Sequence, residues 1–215
     1  MSDKNKISQK GYKKYFFDIL KSEFPENFKA IFQEIENKYD IISNDTNFSF
    51  NSKNPLDKRL DFANYFLSFI QVLDKKGLSY EKINTISLEI ATNYVKPKNK
   101  FQAWLKKLPA KLTNTLFSTF LLKKINNKIG EKRHENGFVA EIITDKKETY
   151  GLGYGINIIE CGICKLFDKN NATKYKSILC EVDKITSNLA GLELIRTGTI
   201  ANGAKICDFR FKKLG

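Results

Sequence analysis

Four cysteines, one aspartate and one arginine in the last third of the 215-residue chain have types and spacings from which chemistry could be built. Cys161 and Cys164 form the run C-G-I-C directly after the strand-like stretch "GYGINIIE". At a strand-to-helix turn the helix N-terminus lowers the first thiol's pKa, so Cys161 reads as a nucleophile, a redox thiol, a metal ligand or a structural thiol. Zinc on Cys161, Cys164, Cys180 and Cys207 is the metal alternative, although two-knuckle sites use a second close pair and Cys180 and Cys207 stand apart. Cys180 and Asp183, three apart, share a helix face, which would let Asp183 orient or deprotonate a neighbour. Arg196 alternates with Leu192 and Leu194 on an apolar strand face and needs an anion, either Asp183 or a bound carboxylate. In "CDFRF" Cys207 shares a face with Phe209 and Phe211 and reads first as a small hydrophobe. Thr199, Asn202 and Gly203 are turn chemistry, with Gly203 expected at positive φ. His134 is the only histidine and sits in a polar connection, which argues against a His-dependent triad.

The elements that must position these groups have two textures. From about 10 to 130 apolar residues recur at helical spacing, as in Leu60, Phe62, Tyr65, Phe66, Phe69, Ile70 and Leu73. Pro25 and Pro55 fall near helix starts and Pro97 follows a helix end. Trp104 is expected to be a packing anchor of the next amphipathic segment. After "GEKRHENG", "FVAEII" and "YGLGYGINIIEC" read as two strands, and "LELIRTGTI" and "CDFRF" as two more around "ANGAK". "GICKLFDK" and "TKYKSILCEVDKITSNL" between them read as helices. The fold class is therefore α+β: an N-terminal helical region, residues 1–135, packed on a small antiparallel sheet with the order β-β-α-α-β-β over residues 136–215, in one globular unit.

Composition narrows the partners. The net charge is +13, and residues 96–133 hold 11 basic residues against one acid, Glu131. All but Arg133 of these cations are lysines, and no helix-turn-helix, zinc-finger or aromatic RNA-binding signature accompanies them, so nucleic acid is disfavoured. A solvated helix face is the leading reading of this segment, with attraction to an anionic ligand or membrane surface the alternative. No run of about 18 apolar residues is present. The polar, basic N-terminus carries no signal-like apolar run, so a cytoplasmic protein with reduced thiols is expected.

The succession "GYGINIIECGICKLF", "LCEVD" and "LIRTGTIANGAKICDFRF" resembles the C-terminal part of the L-2-amino-thiazoline-4-carboxylic acid hydrolase family over residues 137–211. The residues carrying the resemblance are Asn157, Cys161, Cys180, Asp183, Arg196, Thr199, Gly203, Cys207, Asp208 and Phe209. Cys164 departs from that pattern. The resemblance implies hydrolytic opening of a cyclic amidine to a carbamoyl-cysteine, without a cofactor. The resemblance nominates these positions only; the needs of the reaction assign Cys161, at a helix N-terminus, the nucleophilic role, Asp183 the proton transfer and Asn157 the orientation of the amidine. Arg196 would hold the substrate carboxylate, and Thr199, Cys180 and Cys207 would complete the substrate-binding set. The glycine followed by Cys-x-Phe also resembles the ending of vinyl-reductase-like ligand-binding domains, which implies the rival reading, a non-enzymatic small-molecule sensor or carrier.

Overall fold

The computed structural model describes residues 11–112, 116–132 and 134–214. Among the described residues seven α-helices come first: α1 (Lys13–Glu23), α2 (Phe28–Ser43), α3 (Phe48–Asn51), α4 (Arg59–Lys75), α5 (Tyr80–Val95), α6 (Lys100–Leu112) and α7 (Leu116–Ile129). The α+β part follows as β1 (Val139–Ile143), β2 (Gly155–Glu160), α8 (Gly162–Lys169), α9 (Ile178–Leu189), β3 (Leu192–Ile195) and β4 (Cys207–Lys213). The four strands form one antiparallel sheet in the order β1-β2-β4-β3, so the two hairpins expected from the sequence join through β2 and β4.

Helix α4 is the hub, because its apolar residues surround its axis instead of lying on one stripe. Leu60, Ala63, Tyr65, Phe66, Leu67, Phe69, Ile70 and Leu73 are all fully buried. A helix apolar on every side must be enclosed by neighbours. Helices α2, α5 and α8 pack against it. A single apolar cluster then runs from Tyr12 through α4 to Phe138, Ile158, Phe167 and Cys207, so helices and sheet share one core. Each such side chain contributes about 1.5–3 kcal/mol when fully buried.

Strand register decides which residues meet this core. Ile158 pairs with Cys207 and Ile156 with Phe209, and all four belong to the helix-facing cluster. Asn157 pairs with Asp208 and therefore takes the other face of the sheet. There its Oδ1 accepts from Arg210 Nη1 at 3.0 Å. Gly203 closes the β3–β4 connection at φ 89°, as expected from its turn sequence. Trp104 is a correction: it is 50% exposed, stacked on Phe101 at 6.0 Å between centroids, and anchors no core. No helix among the described residues is long and apolar enough to cross a membrane.

Candidate active site

Cys161 is the N-cap of α8 and ends the turn out of β2. Two devices hold it there. Gly162 packs so closely that an added Cβ would lie 2.9 Å from Asn136 O and 3.0 Å from the Phe138 ring, which only glycine tolerates. Lys165, one turn later, donates to Glu135 O at 2.6 Å and Gly137 O at 3.2 Å and ion-pairs with Glu160, fastening α8 to the segment entering β1.

The segment before α4 supplies a second clamp. Asn54 and Asp57 are buried, and they grip the backbone of Phe138: Asn54 Nδ2 donates to Phe138 O and Asp57 Oδ1 accepts from Phe138 N, both at 2.9 Å. Ser52 Oγ donates to Asp57 Oδ2 at 2.5 Å. This places Arg59, on the first turn of α4, next to the start of α8.

All four cysteines line one small cavity, together with Arg59, Phe138, Ile158, Ile163, Lys176, Leu179, Asp183 and Phe209. Its room of about 40 Å³ suits a few waters, at about 10–15 Å³ of the same measure for each. A cleft of about 540 Å³ adjoins it, sharing Arg59, Ile163, Leu179 and Asp183, with apolar walls from Phe62, Tyr94, Val95 and Val182. Helices α4, α5 and α9 thus build the mouth, while α8, the facing side of α9 and the sheet build the reactive end.

Charge is concentrated on Asp183. Arg59 Nη2 donates to its Oδ1 at 3.1 Å, and Arg196 Nη1 lies 3.7 Å from its Oδ2. The Arg59 side chain is 49% exposed, whereas that of Arg196 is 8% exposed. Arg196 also donates to Cys180 O at 3.3 Å and covers the Phe209 ring at 5.2 Å. Two guanidiniums facing one carboxylate leave a positive charge, which a thiolate or a ligand carboxylate can balance.

The thiols differ in proton affinity. Cys161 is drawn down to about 7, first by a hydrogen bond from the Cys164 thiol, then against opposing burial by the N–H groups of Cys164 and Ile163 and the Arg59 charge. Cys164 is raised because it keeps the proton it shares with Cys161, and because it is buried. Burial and then Asp183 push Cys180 up to about 12, and burial raises Cys207 as well. Cys161 is therefore the thiol that gives up its proton most readily.

Of the residues nominated by sequence, Cys161, Cys180, Asp183 and Cys207 meet at the cavity, and Arg196 supports Asp183 from behind. Two do not join them. Asn157 is on the opposite sheet face, committed to Arg210. Thr199 is buried and its Oγ1 accepts from Asn202 N at 3.2 Å, capping the turn before β4. Arg59 was missed: "LDKRLDF" carries no motif, and its nearness to Cys161 arises from a contact spanning over a hundred residues. Among the described residues no group of three or more His, Cys, Asp or Glu side chains is arranged to hold a metal ion.

A family model described as L-2-amino-thiazoline-4-carboxylic acid hydrolase matches residues 58–211. The chain belongs to the L-2-amino-thiazoline-4-carboxylic acid hydrolase family. The match begins at the foot of α4, well before residue 137 where the sequence resemblance starts, so the thiazoline hydrolase family region includes Arg59 as well as the cysteines. No curated protein and no solved structure matches the chain.

Proposed function

We propose that the protein is a hydrolase opening a cyclic amidine of the L-2-amino-thiazoline-4-carboxylate type, with Cys161 as nucleophile. The observation that carries this reading is a thiol of lowered pKa at a helix N-terminus facing the Arg59–Asp183 pair in one cavity, in a chain of this family. The thiolate attacks the carbon of the protonated amidine, the ring C–S bond breaks, and the substrate sulfur leaves as a thiolate that takes up the proton given up by the ring nitrogen. The carbon is then held by Cys161 as an isothiourea. Water attacks that carbon, Asp183 accepts its proton, and the Cys161 thiolate is expelled, leaving the carbamoyl group of a carbamoyl-cysteine. Arg59 is half-exposed on both cavity and cleft, so in this account it binds the substrate carboxylate, the role that the sequence reading assigned to Arg196. Arg196 is buried behind Asp183 and holds it in place.

The apolar walls of the cleft favour a second reading, a sensor or carrier that binds a small molecule without turning it over. Incubation of the purified protein with the thiazoline, followed by mass spectrometry of the products, separates the two. Carbamoyl-cysteine supports the hydrolase; an intact ligand recovered from the cleft with no ring opening supports the carrier.

A further inference from the structure

Among the described residues the basic segment contributes no lining to the cavity or the cleft, yet it carries five large exposed apolar side chains. On α6, Phe101, Trp104 and Leu105 are 64%, 50% and 42% exposed, and on α7, Phe120 and Leu121 are 69% and 44% exposed. Positions 101, 104 and 105 fall on one face of a helix by their spacing. The inward side of α7 is already used, with Ile129 buried and Ile125 packed on the core, so Phe120, across the helix from Ile125, belongs to its outer side, while Leu121, one turn before Ile125, extends the inward stripe past the core and is left 44% exposed. Lys124 and Lys128 fall between or beside them at helical spacing, and Lys100 and Lys107 border the α6 stripe. Isolated exposed apolar residues need no explanation, but five large ones on two consecutive helices do.

We propose that α6 and α7 form an interfacial docking element for membranes rich in anionic phospholipid. The charge of the segment selects this occupant over a second copy of the chain: with 11 cations and one acid across residues 96–133, two copies brought face to face would repel. Lipid headgroups supply the missing negative charge. The rings and leucines enter the acyl boundary, while the lysine stems lie along it with their ammonium groups at headgroup level. Helix α6 also packs on α9, which lines the cleft. This surface is independent of the hydrolase reading.

Trp104 is the only tryptophan, so its emission reports this face alone. The full-length protein is titrated with vesicles of phosphatidylcholine, and with vesicles of phosphatidylcholine and phosphatidylglycerol. The expected result is a blue shift and protection from acrylamide with the anionic vesicles only, weakening as salt is added. Reversal of Lys123 and Lys124 to Glu should lower the partition coefficient about thirtyfold or more at low salt, from roughly 1 kcal/mol per lysine. Phe120→Ser, at a solvent-facing position, should weaken it without changing the circular dichroism. No shift with either vesicle, or equal shifts with both, overturns the proposal. So do quencher protection in the free protein together with a dimer by light scattering, which would make a second copy the occupant, and a Trp104 shift with an oligonucleotide in place of vesicles.

Discussion

Arg59 on α4 and Asp183 on α9 are joined by a 3.1 Å hydrogen bond across 124 residues of sequence, and this pair forms the boundary between the reactive cavity and the substrate-sized cleft. Loss of a charge-assisted hydrogen bond to a ligand carboxylate costs about 1.5–3 kcal/mol. Steady-state kinetics of Arg59→Ala should show kcat/KM reduced about 10- to 100-fold, mainly through KM. Arg59→Lys should recover only part of it, since an ammonium cannot offer two parallel donors.

Asp183 has a structural duty as well. It is the anion nearest the buried Arg196 guanidinium, whose Nη1 has no hydrogen-bond partner. Removing one member of a buried pair leaves an uncompensated charge, worth about 3 kcal/mol or somewhat less here because Asp183 keeps some solvent contact. Urea unfolding of Asp183→Ala should show that loss, and adding Arg196→Met should restore part of it. Additive destabilisation by the two changes would contradict the pairing.

The order β-β-α-α-β-β and the helix "GICKLFDK" were legible because period-2 and period-3.6 patterns are local, and α8 spans those same eight residues. The position of Cys161 at a helix start followed from that. The separation of Asn157 from the cavity was not legible because proximity in sequence to Cys161 hides the alternation that sends its side chain to the far face of β2. Arg59 and the Asn54–Asp57 clamp were illegible for the opposite reason, since their partners lie 81 to 124 residues away. Trp104 was misread because apolar periodicity marks a face without saying whether protein covers it.

The clamp on Phe138 is testable by itself. Asp57→Ala leaves the Phe138 N–H and the Ser52 hydroxyl without their acceptor, and a buried unsatisfied donor costs about 1–3 kcal/mol. Thermal unfolding should reveal this. Lys53→Ala, at the exposed position just before Asn54, should change stability by less than about 0.5 kcal/mol.

Thiol reactivity should follow proton affinity. Timed iodoacetamide labelling with peptide mapping should find Cys161 modified first, its rate rising with pH through about 7 as the thiolate forms, below the roughly 8.5 of a free cysteine. Cys180, at about 12, and the buried Cys164 and Cys207 should label only on unfolding. Cys164→Ala should move the Cys161 midpoint upward, since the hydrogen bond from Cys164 is the leading cause of its lowering.

The covalent step is tested most directly by intact-mass and peptide mass spectrometry after the protein is mixed with L-2-amino-thiazoline-4-carboxylate and quenched in acid. Ring-opening addition expels nothing, so the Cys161 peptide should gain the whole mass of the substrate, and Cys161→Ser should show neither the adduct nor carbamoyl-cysteine. Carbamoyl-cysteine formed by Cys161→Ser at the wild-type rate, with no adduct on the wild-type protein, would contradict Cys161 as the nucleophile.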